Sequence, residues 1–160
     1  MSKTPKWGQL AVLTRETVLL GARATGKVDA IRQSGEVLVR AGYAAPSYVD
    51  GMLAREKVIS TYLGNGIAIP HGQPEDLKSV YHTGVSVLQL PEGVEWEPGE
   101  KAYLVIGLAA TSASDEHIDV LANLVEVLQD PETVRRLVHA TDPMIIVERL
   151  TRQRSKRGWN

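Results

Sequence analysis

Apolar residues recur along this chain with two periods, and the alternation between them lays out the elements. GVSVLQL (84–90) and AYLVIGLAA (102–110) are dense in valine, leucine and isoleucine and predict strands. The second is apolar enough to be central, with both faces covered. In SASDEHIDVLANLVEVLQD the spacing of Ile118, Leu121, Val125 and Leu128 predicts a helix, with Ser114 as its cap and Asp115 and Glu116 in its first turn. Upstream, Thr17 to Leu20 predicts a short strand. Thr25 or Gly26 then caps a helix whose apolar positions include Ile31, Leu38 and Ala41, and Gly42 ends it. Pro46 suits the first turn of a second helix, in which Val49, Met52, Leu53 and Glu56 lie near one another while Arg55 points elsewhere.

Ile67 to Ile69 predicts a further short strand that Pro70 must end, because proline brings no N–H to a ladder. PEGVEWEPGE, between the two long strands, reads as a turn-rich connection. Asp130-Pro131 and Asp142-Pro143 each pair a helix cap with proline at the first helical position, so two short helices close the chain. The fold class that follows is α/β: a single domain with a mixed parallel and antiparallel central sheet, flanked by helices on both faces. The expected organisation is a flexible N-terminal extension over 1–15, one domain over 16–150 and a basic tail over 151–160.

Composition narrows the chemistry. The chain has 160 residues, 43% of them hydrophobic and 23% charged, and a formal net charge of −1, which offers no global attraction to nucleic acid or acidic lipid. It has no cysteine, which excludes disulfides, thiol nucleophiles and cysteine metal cages and agrees with a reducing compartment, so a cytoplasmic location is expected. No stretch approaches the roughly 20 apolar residues of a membrane span. GARATGK is not a Walker loop, because Val28 follows Lys27 where Ser or Thr is needed; GxSxG is missing, and so is a close ligand pair such as HxxxH. No cofactor and no metal are expected.

The segment GNGIAIPHG (64–72) delivers His71 at the end of a strand, beside Gly72. A neutral imidazole carries one lone-pair nitrogen and one N–H, and with an ordinary pKa of about 6.5 it is a ready nucleophile near neutrality. His71 has two readings: a surface turn, or a nucleophile presented on a rigid base that a large partner approaches closely. With Ser114 as cap, His117 occupies the third helical position, where free backbone N–H groups favour an anion; a surface histidine in a capping turn is the alternative. Arg55 offers a planar fork of donors for a phosphoryl oxygen, or forms part of a solvated helix face. His82 and His139 are expected to be structural.

Together, GARATGKVDAIRQSGEVLVRAGY, YVDGMLAREKVISTYLGNGIAIPHG, TGVSVLQLPEGVEW and LVIGLAA with DEHIDVLANL resemble, in order and spacing, the IIA component of the bacterial phosphoenolpyruvate-dependent sugar phosphotransferase system, mannitol/fructose class. The resemblance covers about residues 16 to 150. It implies a phosphocarrier in which the histidine of the PHG motif, His71, takes a phosphoryl group from phospho-HPr and passes it to a EIIB component working with a membrane EIIC, for uptake of mannitol or a related sugar or polyol. It also implies that His117, in the EHI segment, and Arg55, in the MLxRE segment, line the site. The family's nitrogen-type regulatory members, which act by phosphorylation-dependent protein binding, are the alternative. No nucleic acid and no direct membrane insertion are expected.

Overall fold

The computed structural model describes residues 11–111 and 116–151, the stretch 116–121 by its backbone alone. Its elements are β1 (Val18–Leu19), α1 (Lys27–Arg40), α2 (Ser47–Val58), β2 (Tyr62–Gly64), β3 (Ile67–Ala68), β4 (Gly84–Glu97), β5 (Glu100–Ala109), α3 (Glu116–Leu128), α4 (Pro131–Val138) and α5 (Pro143–Thr151). The five strands form one sheet in the order β1-β4-β5-β3-β2. β1 runs parallel to β4 and β3 parallel to β5, whereas β4–β5 and β2–β3 are antiparallel.

The period-two alternation of β5 divides the core into two layers. Leu104, Ile106 and Leu108 face one side, where Leu124, Leu128, Leu137, Ile146 and Leu150 of α3, α4 and α5 cover them. Val105 and Ala109 face the other side, against Ile31 and Leu38 of α1 and Tyr48 and Met52 of α2. A central strand buried on both faces needs apolar residues at every position, as AYLVIGLAA supplies. The mixed sheet between two helical layers is the expected fold class.

Local expectations hold for most elements. α1 ends before Gly42, which takes φ +90°. In α2, Val49, Met52 and Glu56 are buried and Leu53 packs partly against the core, while Arg55 is half-exposed. The prolines at 131 and 143 open α4 and α5. Ser114, the expected cap of α3, lies outside the described residues, as do 1–10 and 152–160.

Two expectations are corrected. PEGVEWEPGE is strand over most of its length: β4 continues to Glu97, and its turn is confined to Pro98-Gly99. Pro91 fits because it falls where the β4–β5 register is interrupted, between Gln89 and Val94, so its missing N–H breaks no ladder bond. Beyond that irregularity Val94 and Trp96 return to the core. The packed body also begins before residue 16: Leu13 is buried, the Val12 carbonyl accepts the Val85 N–H at 2.8 Å, and the Ala11 carbonyl accepts the Tyr43 hydroxyl. A sequence with little periodicity is held there by long-range backbone bonds.

The turn between β2 and β3 fixes how the chain enters the PHG segment. Gly64, Asn65 and Gly66 all take positive φ, of 105°, 55° and 80°. Only glycine adopts this geometry freely, and asparagine tolerates it, so GNG is the chemistry of a tight hairpin. The Gly66 carbonyl then accepts the N–H groups of Tyr103 and Leu104 at 2.7 and 3.1 Å, which seats β3 beside β5.

A buried carboxylate ties this half of the molecule together. Glu56 of α2 accepts hydrogen bonds from the Trp96 indole N–H at 2.9 Å and from the Thr61 hydroxyl at 2.6 Å and backbone N–H, and pairs with Lys27 Nζ at 3.3 Å. Lys27 also stands 5.7 Å from the centre of the Trp96 ring. The Glu56 side chain is 5% exposed, so its charge depends on these donors, and solvent screens only the Lys27 end. Glu56→Ala strands the indole and Thr61 donors and is expected to cost about 3 kcal/mol in urea unfolding, with a change in tryptophan fluorescence. A loss below about 1 kcal/mol would show that these bonds do not clamp the elements.

Candidate functional site

β3 and β5 are parallel, so their carboxyl ends lie at the same edge of the sheet, the position at which open α/β sheets bind ligands. The β3 ladder does not stop cleanly at Ala68. The Leu108 N–H donates to the Pro70 carbonyl at 3.0 Å, and His71 bridges Leu108 in parallel register. Proline lacks an N–H, but its carbonyl still accepts, so the segment stays docked on β5 up to the histidine.

The His71 ring is half-buried, and its Nδ1 lies 2.9 Å from the Ile69 carbonyl oxygen. A carbonyl oxygen only accepts, so Nδ1 must carry the proton and donate it. Nε2 is then the nitrogen with the lone pair. The backbone two residues upstream thus selects the tautomer and orients the nucleophilic nitrogen away from the chain.

Behind the ring, the Tyr48 hydroxyl of α2 accepts the Gly72 N–H at 2.9 Å and donates to the Leu108 carbonyl at 2.8 Å. Burial pushes the Tyr48 phenol up to about 12, the Gly72 bond pulling it down and the Asp76 charge pushing it up. The phenol therefore stays protonated, as donation to Leu108 requires. A Cβ on Gly72 would sit 2.6 Å from Tyr48 Cε1, so a side chain there is incompatible with the ring. The close neighbour that Gly72 admits is Tyr48 of the same chain. Beyond it Asp76, in the 3-10 turn Pro74–Ser79, accepts the Gln73 N–H at 2.7 Å and closes the loop on itself.

Arg55 stands two turns beyond Tyr48 on α2 and so shares its side of the helix. Its guanidinium folds back to donate to the Ile59 carbonyl at 2.6 Å, capping the helix end, and makes no hydrogen bond to His71. The backbone places His117 in the first turn of α3, which begins a short connection after β5 leaves the sheet beside His71. His82 and His139 lie elsewhere: His82 donates its N–H to the Tyr43 carbonyl, and the His139 ring bonds the Arg135 carbonyl at the end of α4. Among the described residues, no three His, Asp or Glu side chains gather as a metal site would require. Tyr48 and Asp76 were not marked by the sequence. Gly72 is the one trace of Tyr48, since a glycine after the histidine signals close approach without naming the approaching group.

Comparisons with known proteins bear on the family and the fold. The family model described as phosphoenolpyruvate-dependent sugar phosphotransferase system, EIIA 2, matches residues 11–153. A multiphosphoryl transfer protein of Rhodobacter capsulatus is 50% identical over 139 residues, 87% of this chain, which spans only 17% of that relative's length. The mannitol-specific phosphotransferase enzyme IIA component of Geobacillus stearothermophilus is 39% identical over 131 residues, covering 82% of this chain and 89% of its own. Among solved structures, enzyme IIA of the Escherichia coli mannitol system, in its complex with phosphorylated mannitol enzyme IIB, superposes with a TM-score of 0.78 at 44% identity, covering 84% of this chain and 94% of that one. With the family model matching nearly the whole chain, the protein belongs to the EIIA 2 family of the phosphoenolpyruvate-dependent sugar phosphotransferase system.

Proposed function

We propose that this chain is a phosphocarrier that takes a phosphoryl group from phospho-HPr onto Nε2 of His71 and hands it to a EIIB component, for uptake of mannitol or a related polyol through a membrane EIIC. The observation that carries this is the Nδ1–H donation to the Ile69 carbonyl, which leaves Nε2 as the lone-pair nitrogen. In the transfer the Nε2–P bond forms as the donor's N–P bond breaks, and the donor imidazole takes back the electron pair. The charge left on the His71 ring is stabilised through Nδ1–H by the carbonyl it already faces. A loose transition state with charge spread over three oxygens asks for positioning and donors more than for covalent machinery, so no cofactor is needed.

His117, at the N-terminal turn of α3, and Arg55, after release from the Ile59 carbonyl, are the proposed oxygen donors. Release exchanges one neutral acceptor for a dianion, which favours the swing. The mannitol enzymes among the relatives support transport over nitrogen-type regulation, and the complex with phosphorylated enzyme IIB supports the onward step. Among the described residues no helix is long and apolar enough to cross a membrane.

Incubation with phosphoenolpyruvate, enzyme I and HPr, followed by intact-mass measurement, is expected to show one acid-labile phosphate that His71→Ala lacks; label retained in the variant would move the site. A mannitol-type EIIB should drain that label, and a label that stays would favour regulation. His117→Ala is expected to accept phosphate yet pass it on about 10²-fold more slowly, the usual cost of one transition-state donor; equal transfer rates would remove it from the site. Gly72→Ala drives a methyl into the Tyr48 ring and should lower both the thermal midpoint and the phosphorylation rate. An unaffected protein would show that the loop accommodates the methyl.

A further inference from the structure

In a parallel ladder, the residue after a bridged position donates its N–H to the bridged partner's carbonyl. His71 is bridged to Leu108, so the last rung in register runs between the Gly72 N–H and the Leu108 carbonyl. A side chain braces both of these groups: the Tyr48 hydroxyl accepts the Gly72 N–H at 2.9 Å and donates to the Leu108 carbonyl at 2.8 Å. From this geometry we infer that Tyr48 is a positioning residue for phosphoryl transfer, its hydroxyl clamping the last rung of the β3–β5 ladder and thereby holding the His71 ring in its Nδ1–H tautomer. The inference deepens the carrier reading and rests on it for the rate, but not for the ring.

Tyr48 is 4% exposed, so its hydroxyl has to find both partners within the protein, and it has both. A hydroxyl accepts and donates through a single oxygen, so it can link an N–H to a carbonyl close by. A single rung at the end of a ladder is easily lost, whereas the hydroxyl bonded to both of its ends keeps the loop on the strand. The clamp matters because the acceptor of Nδ1–H, the Ile69 carbonyl, sits upstream of Pro70, whose carbonyl is docked on Leu108, while the ring hangs from the residue between Pro70 and Gly72. Holding Gly72 and Leu108 together therefore fixes the angle at which the imidazole turns back to Ile69. Burial keeps the phenol protonated well above neutrality, so the relay does not switch in the working range.

Tyr48→Phe keeps the ring that packs against Gly72 and removes the relay alone. The free protein is labelled with nitrogen-15 and its histidine ring nitrogens are read by NMR, while kcat and KM for phospho-HPr are measured in parallel. Tyr43→Phe is the control, because Tyr43 is also buried and its hydroxyl also bonds a distant backbone carbonyl, that of Ala11, away from the loop. The wild type and Tyr43→Phe are expected to show His71 as a single tautomer with Nδ1 protonated. Tyr48→Phe should show averaging of the two tautomers and a kcat lower by about tenfold, with KM for phospho-HPr within about twofold because the docking surface is intact. A His71 signature in Tyr48→Phe identical to wild type would overturn the inference, as would a Tyr43→Phe variant that averages to the same degree. Failure of the wild type to take phosphate would sink the carrier function and leave the ring measurement to decide the role of Tyr48.

Discussion

A parallel β-ladder fixes the backbone on both of its strands, and wherever it ends one strand must release its N–H and carbonyl groups to something else. In this protein it ends at His71, the proposed carrier of the phosphoryl group. β3 is two residues long, yet Pro70 and His71 remain docked on Leu108 beyond it. The histidine is thus held as firmly as a strand residue, while its ring stands outside the sheet. The proposed phosphoryl transfer between two proteins needs this combination, since the histidine would have to meet successive partners in one geometry and still be reachable. Proline serves both needs by stopping the strand on its N–H side while its carbonyl keeps the contact.

The remaining structure makes that edge rigid. β5 lies between β4 and β3 and is covered on both faces, with Leu104, Ile106 and Leu108 against α3 to α5 and Val105 and Ala109 against α1 and α2. Its end is therefore a firm support for the loop. α2 connects this support to the loop, with Tyr48 at its start under Gly72 and Glu56 at its end, where a buried carboxylate gathers donors from Thr61, Trp96 and Lys27. Buried hydroxyls and carboxylates are costly when unpaired, by about 1–3 kcal/mol per group, so their full satisfaction restricts α2 to one placement. The same helix thereby carries the framework of the loop and Arg55, whose guanidinium is parked on the Ile59 carbonyl.

Helix and strand positions were legible where local chemistry decides them. The stripe Ile118, Leu121, Val125 and Leu128 gives α3, Gly42 ends α1, and Asp-Pro pairs open the last two helices. The route through 91–97 was not, because proline and glycine there signal a turn, while the sheet tolerates them at a register irregularity and recovers the pattern at Val94 and Trp96. Ala11 to Arg15 were missed for a related reason: their order comes from bonds to Tyr43 and Val85, partners distant in sequence that leave no period in the segment itself.

For the site, the sequence by itself determined the setting of the proposed carrier: GNG must turn, IAI must extend, Pro70 must stop the strand on its N–H side, and His71 must follow. These are consequences of φ, of N–H count and of side-chain branching, all local to a few residues. Only the tertiary structure decided what braces the loop, because the Leu108 carbonyl and the Tyr48 hydroxyl meet beside Gly72 from segments remote along the chain, whereas the Ile69 carbonyl that holds Nδ1–H lies two residues from the histidine. A hydrogen bond between distant residues is a property of the packed sheet and helices, and no spacing along the chain encodes it.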